Sequence, residues 1–242
     1  MTLPLEIRQD GRLLRITFAR TADCGVSDSM ATALANAVLA AHETSDAVLL
    51  RSAGPDFCTG RVRDAAGPPA TEAYERRPEY DPVFNSYKAL RAAQVPVVAA
   101  IEGRAMGYGT AVAALCDVSI ASETARFNIP EIEHGVMPTM VMSALYDRLN
   151  RNAILWMAYS GRFIDANRAM QYGLVSDVVP AADLDAEAEA YCAMLLGRPR
   201  PAIRGLKEYL RVAPGMDEQG AIDYARSLHS MVNTATAMKR KH

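Results

Sequence analysis

Short apolar runs separated by turn residues open the chain. Residues 3–8 and 12–18 carry strand-like sequence on either side of Gly11, which predicts a hairpin. Met30, Leu34, Val38 and Leu39 then recur at helical spacing behind Ser27 and Ser29, so a helix follows. Residues 47–50 (AVLL) are apolar without a break and are closed by Ser52-Ala53-Gly54-Pro55, the pattern of a strand buried on both faces. Residues 61–80 hold Gly-Pro-Pro and several arginines with little periodic apolar content, which predicts a mobile surface excursion after that strand. Val83, Tyr87 and Leu90 restart a helical stripe, and Pro96 marks its end. VVAAI at 97–101 reads as a second buried strand leading into GRAMGYG at 103–109. Residues 110–116 are short, Ala-rich and apolar, which favours a helix, and 117–121 read as another strand.

From Pro138 onward the periodicity is helical: MVMSALYDRL, RNAILWMAYS, DLDAEAEAYCAMLL, AIRGLKEYL and a last helix near 217–238. Alternation of β and α segments followed by helices predicts an α/β fold with parallel pairing. The expected organisation is an α/β core over 1–190 and a helical C-terminal part over 191–242, with no repeat and no linker between them.

Composition narrows the function classes. Lys plus Arg (26) nearly balances Asp plus Glu (28), for a formal net charge of -2, so no global positive field gathers nucleic acid or anionic lipid. Cys24, Cys58, Cys116 and Cys192 lie far apart with no C-x-x-C pair, which argues against structural zinc and a disulfide framework, and no metal is expected. Glu6 and Asp10 interrupt the apolar stretch that a signal peptide needs, and no apolar run approaches the roughly 18 residues of a membrane span. A reduced, cytoplasmic location without membrane partners is the expectation. GRAMGYG does not give G-x-G-x-x-G, which disfavours a dinucleotide fold.

Four ordered segments then carry a resemblance. AVLLRSAGPDFCTGR (47–61), VPVVAAIEGRAMGYGTAVAALCDVSIAS (95–122), ARFNIPEIEHGVMP (125–138) and SGRFIDANRAMQYGLVSDVVP (160–180) together resemble the signature segments of the crotonase superfamily of enoyl-CoA hydratases and isomerases. The resemblance spans most of the chain. It implies a crotonase-like fold of repeated ββα turns, whose helical C-terminal part assembles homotrimers or dimers of trimers. It also implies an acyl-CoA substrate, with coenzyme A as part of the substrate and no separate cofactor.

Acyl thioester chemistry builds negative charge on the thioester oxygen, and two backbone N–H groups can hold that oxyanion without side-chain reorganisation. By position in the motifs, the resemblance assigns these donors to the amides of Arg61 and Tyr108, flanked by Gly60, Gly107 and Gly109. It assigns the acid/base carboxylate to Glu131 after Pro130, a role that requires a raised pKa beside a desolvated thioester. Backbone around Cys24–Val26 and Cys58–Val62, including Cys24, Val26, Cys58, Gly60 and Val62, is expected at the coenzyme, with Gly107 and Pro130 at the acyl end. Arg20, Arg61 and Lys207 are the candidates for its phosphates. Glu133 reads as a surface carboxylate and His134 as a packed or solvated ring; a nucleophilic Cys58 is not expected.

The sequence also departs from the hydratase pattern. Where hydratases of the family carry a second glutamate after the glycines, this chain has Ala111, and the middle glycine is replaced by Tyr108, whose phenol is expected close to the acyl site. One carboxylate suits a proton shuttle between two carbons, as in the family's isomerases, or thioester hydrolysis. A reading from another class is a non-catalytic acyl-CoA-binding or RNA-binding homologue; the charge balance counts against RNA, and the retained Glu131 against a dead site.

Overall fold

A computed structural model describes residues 5–18, 23–63 and 72–238. The chain begins with β1 (Leu5–Asp10) and β2 (Leu13–Phe18), the expected antiparallel hairpin around Gly11. After β3 (Val26–Ser27), Ser27 caps α1 (Asp28–Thr44) by accepting from the Met30 amide, which satisfies one of the free N–H groups of the first turn. Next come β4 (Ala47–Ser52) and β5 (Arg61–Val62), then α2 (Asp81–Ala92), β6 (Val97–Ile101), β7 (Arg104–Met106), α3 (Tyr108–Leu115), β8 (Val118–Ser122) and β9 (Arg126–Asn128). The remainder runs α4 (Thr139–Leu145), α5 (Arg151–Ser160), β10 (Ile164–Asp165), α6 (Ala166–Gln171), β11 (Asp177–Val179), α7 (Leu184–Leu196), α8 (Arg200–Val212) and α9 (Glu218–Asn233).

The main sheet has six strands in the order β1-β2-β4-β6-β8-β11, parallel except for β1. Both of its faces are covered, which is why β4 and β6 read as continuous apolar runs. Ile16, Val48, Leu50, Val97, Ala99 and Ile101 point into the larger core with α1, α2 and α3, while Leu13, Ala47, Leu49, Val98 and Ala100 face α7. On α7 the residues Leu184, Ala188 and Cys192 form a narrow stripe against that second face. The expected boundary at 190/191 therefore falls inside a helix that belongs to the core, and it is corrected here: the unit built on the sheet extends through α7.

Two small sheets sit beyond the C-terminal ends of the parallel strands: β10-β9-β7, and the parallel pair β3-β5. Their strands are two or three residues long, too short to leave a period in the sequence. The expectation of an irregular excursion over 61–80 is corrected in part. Arg61 and Val62 pair with Val26 and Ser27, and Ala73–Tyr80 forms a 3-10 helix leading into α2; residues 64–71 of that expected excursion lie outside the described residues.

Candidate active site

The segment after β4 runs alongside the one after β6. Phe57 N–H donates to Glu102 O, Cys58 N–H to Arg104 O and Met106 N–H to Cys58 O, at 2.8, 3.0 and 2.8 Å, and Cys58 pairs with Ala105 in a parallel bridge. Arg61 and Tyr108 each lie three residues beyond that bridge, on neighbouring stretches of chain. Asp56 holds the two stretches together. Its carboxylate accepts from the Arg104 amide at 2.7 Å and from the guanidinium at 3.1 and 2.7 Å, and these bonds lower its pKa below the ordinary range.

The two amides named by the motifs are arranged differently. Val26 N–H donates to Gly60 O at 2.9 Å, and Val26 is in parallel register with Arg61. That ladder uses the Gly60 carbonyl and turns the Arg61 N–H to the opposite side. Tyr108 is the first residue of α3, all eight residues of which are buried, and the first bond closing the helix is Ala111 N–H to Gly107 O. The Tyr108 amide thus belongs to the free N–H groups at the positive end of a helix. Gly107 has φ +48° and Gly109 abuts the Cys58 carbonyl, so a side chain at 109 would overlap main chain.

Glu131 opens a short 3-10 turn (Glu131–His134) just past β9, with Pro130 as its N-cap. Its Oε1 lies where a Cβ on Gly107 would be, so the carboxylate sits against the turn that presents the Tyr108 amide. Oε2 is shielded from solvent and has no hydrogen-bond partner among the described residues. Burial raises the pKa of Glu131, opposed by a backbone hydrogen bond of its own residue and by the nearby His134. Asn128 braces the turn from below: its carbonyl accepts from the Gly107 amide and from Thr110 Oγ1, at 3.0 and 2.9 Å, and its side chain donates to Gly161 O at 3.0 Å.

Cys24, Val26, Cys58, Gly60, Val62, Gly107, Tyr108, Pro130 and Glu131 are therefore gathered beyond the C-terminal ends of the strands, where ligands of parallel sheets bind. Thr59 N–H to Cys24 O at 3.1 Å adds to the contact between the 24–26 and 58–62 segments. Burial pushes the Cys58 thiol up to about 12, so it is no thiolate at neutral pH. Ala111 is fully buried inside α3.

Three expectations need correction. The Tyr108 phenol is not open to an acyl group: it is turned between α2 and α3, and its hydroxyl is engaged, donating to Ser86 Oγ at 3.0 Å. The Arg61 guanidinium is engaged by Asp28 at 2.6 and 2.9 Å and by the Glu79 carbonyl at 2.6 Å, which leaves it tied to α1 and the 3-10 helix rather than open to a phosphate. Lys207 on α8 is bound to Asp117 at 2.5 Å and to Val95 O at 2.9 Å, at the N-terminal edge of β6 and β8 and thus at the other end of the sheet. Arg20 lies outside the described residues. Tyr87, which the sequence presents as one more position in the apolar stripe of α2, is buried beside Tyr108 and feels the charges of Glu131 and Arg61.

With this geometry in hand, similarity to known proteins is informative. Residues 8–241 match the family model described as enoyl-CoA hydratase/isomerase. The chain belongs to the enoyl-CoA hydratase/isomerase family. A probable enoyl-CoA hydratase of Mycobacterium leprae is 33% identical over 187 residues, covering 76% of this chain and 71% of that protein. The 2,3-dehydroadipyl-CoA hydratase of Escherichia coli is 37% identical over 145 residues, covering 59% of this chain and 56% of the relative. Among solved structures, the enoyl-CoA hydratase of Mycobacterium smegmatis superposes with TM-score 0.89 at 28% identity, over 98% of this chain and 93% of the other. A putative enoyl-CoA hydratase from Thermobifida fusca in complex with acetoacetyl-CoA does so with TM-score 0.83 at 27% identity, over 94% of each chain. The α/β architecture is accordingly the crotonase fold, and the site belongs to a family of acyl-CoA enzymes. Among the described residues no helix is long and apolar enough to cross a membrane.

Proposed function

We propose that this family member moves a proton next to an acyl-CoA thioester, with the thioester oxygen held by the Arg61 and Tyr108 amides and Glu131 as the one acid/base carboxylate. The observation that carries the reading is Glu131 itself: a half-buried carboxylate against the turn that presents the Tyr108 amide, with Oε2 shielded from solvent and unpartnered among the described residues, and with a raised pKa. Such a group is matched to taking a proton from a thioester α-carbon and giving it back. In a 3-enoyl thioester the Glu131 carboxylate takes a proton from C2, the electron pair shifts toward the oxygen between the two amides, and protonated Glu131 returns the proton to C4. The 2-enoyl thioester leaves and the carboxylate is regenerated. Backbone at Cys24, Val26, Cys58, Gly60 and Val62 contacts the coenzyme in this reading, and no cofactor beyond the coenzyme A of the substrate is invoked.

Hydration is the second reading, because the relatives named above are hydratases. It requires a group to activate water opposite Glu131, and the position available for one holds the methyl of buried Ala111. Product analysis by mass spectrometry on 2-enoyl-, 3-enoyl- and aryl-CoA thioesters separates the two, and also detects hydrolysis. Faster isomerisation of 3-enoyl-CoA than hydration of 2-enoyl-CoA supports the one-carboxylate mechanism; the reverse order overturns it. A homotrimer or dimer of trimers in the cytoplasm is proposed with this function. Leu206, Leu210 and Met231 on α8 and α9 are 61%, 62% and 65% exposed, an apolar surface suited to burial between subunits. Light scattering that gives a monomer at micromolar concentration overturns the assembly.

A further inference from the structure

Two tyrosines stand stacked behind the oxyanion turn, with ring centroids 5.5 Å apart and planes 19° from parallel. Their hydroxyls are in opposite situations. Tyr108 donates to Ser86 Oγ, and Ser86 Oγ donates to Val83 O at 2.7 Å, so that phenol is satisfied within the protein. The Tyr87 hydroxyl is equally shielded from solvent, yet no group among the described residues accepts from it. Buried hydroxyls without a partner are rare and costly in folded proteins. Phe in place of Tyr87 would keep the stacked ring and remove that cost, so the hydroxyl calls for a partner that the described residues do not supply.

The surroundings say what that partner is. Tyr87 stacks on Tyr108, whose amide opens α3 beside the Glu131 carboxylate, and Cys58, Glu131 and Arg61 are near enough to bear on its charge. Glu131 Oε2 and Asn128 Oδ1 are further buried oxygens around that turn without a partner among the described residues. A tyrosine this deep keeps its proton, since burial raises its pKa well above the ordinary value, so it acts as a hydrogen-bond donor. Close to a buried carboxylate, a second negative charge is disfavoured, which leaves a neutral oxygen as the acceptor.

We propose that Tyr87 is a specificity-determining residue: its hydroxyl donates to a neutral oxygen carried by the acyl group, so that the site takes oxygen-bearing acyl thioesters in preference to plain hydrocarbon ones. The inference rests on the acyl-CoA reading above. A site built to hydrogen-bond a substrate oxygen rejects the analogue lacking it far more strongly than an apolar pocket rejects one methylene, because the buried donor is left unpaired.

The test is binding of unreactive thioesters, measured by titration calorimetry on wild type and Tyr87→Phe, with thermal melting to verify that the variant is folded. The ligands are hexanoyl-CoA and its counterparts bearing a single ketone oxygen at each position beyond the third carbon. Wild type should bind at least one ketone thioester about tenfold or more tightly than hexanoyl-CoA, and Tyr87→Phe should lose that preference while binding hexanoyl-CoA as well as or better than wild type. A wild type that binds all of them equally overturns the assignment of Tyr87 without touching the acyl-CoA reading, and this arm needs no variant. A preference that survives in Tyr87→Phe overturns it too. Failure of wild type to bind any of these thioesters overturns the acyl-CoA reading and the inference with it.

Discussion

The loop after β4 and the turn after β9 each bring a carboxylate to the same glycine-bearing segment, and the fold treats the two in opposite ways. Asp56 is met by one backbone N–H and a two-pronged guanidinium from Arg104, and its pKa falls. Glu131 is met by the bare face of Gly107, keeps one oxygen without a partner, and its pKa rises with burial. Saturated hydrogen bonding makes the first a fastener between two loops. Withheld hydrogen bonding leaves the second without a competing partner for a proton, as its proposed acid/base role requires. The difference follows from position: Asp56 sits at the strand exit, where main-chain donors are near, whereas Glu131 begins a 3-10 turn over a residue with no side chain.

Loss of the proposed acid/base carboxylate gives the largest expected effect. Glu131→Gln should lower turnover by about 10² to 10⁴ or more, with thioester affinity kept within a few-fold. The same variant should melt at a higher temperature than wild type at neutral pH. A carboxylate with a folded pKa above its unfolded one costs nothing below the unfolded value, about 4.3, and costs progressively more as pH rises through the folded value. The advantage of the glutamine should therefore vanish in acid. Melting curves across pH that show wild type above Glu131→Gln at neutral pH would place Glu131 in a paired, structural role like that of Asp56.

Gly107→Ala attacks the seat of Glu131 without touching its chemistry. The new methyl would overlap Oε1 and would occupy a backbone at φ +48° and ψ -104°, a conformation that glycine adopts and L side chains avoid. Turnover should fall nearly as far as in Glu131→Gln, and stability should fall with it, which separates the two variants in a melting experiment.

Asp56→Ala should act on stability first. It leaves the Arg104 amide without its acceptor and unties the loops, for a loss on the order of 1–3 kcal/mol at neutral pH. Here the sign reverses. A depressed carboxylate stabilises above its unfolded pKa, about 3.9, and this contribution is lost as pH falls through the folded value, so wild type and variant should converge in strong acid. Denaturant unfolding at several pH values measures both ends.

These contrasts were unevenly legible in the sequence. Runs such as VVAAI announce a strand covered on both faces because burial leaves a mark at every position, and Ser27 announces the start of α1 because the cap is local. The segments around 24–26, 58–62, 107–109 and 130–131 were legible only through their likeness to family motifs. The pairings that join them, β3 with β5 and Cys58 with Ala105, involve too few residues to show a period. Side-chain direction was the least legible. Tyr108 follows Gly107, yet its ring is carried into the core by the helix it begins, while Tyr87, read as part of an apolar stripe, keeps a buried hydroxyl with no partner among the described residues. A tyrosine in an apolar stripe gives no sign of where its hydroxyl ends.

Lys207 gives the smallest expected effect and extends the comparison to the far end of the sheet. As the only lysine among the expected phosphate contacts it would matter to coenzyme affinity, but its side chain is 11% exposed and its ammonium lies between Asp117 and the Val95 carbonyl. Asp117 also accepts from the Val97 amide at 2.7 Å, so this carboxylate, like Asp56, is a fastener: it joins β6, β8 and α8 where the parallel strands begin. Lys207→Met keeps the packed stem of the side chain and removes the charge. Asp117 retains its main-chain donor and an exposure of 32%, so the cost should stay near 1 kcal/mol. Affinity for an acyl-CoA thioester should change by less than about twofold, because no phosphate at the C-terminal end of the strands meets this group. A tenfold loss of affinity in Lys207→Met, with the melting temperature nearly unchanged, would return the lysine to the coenzyme and require α8 to release it from Asp117 when substrate binds.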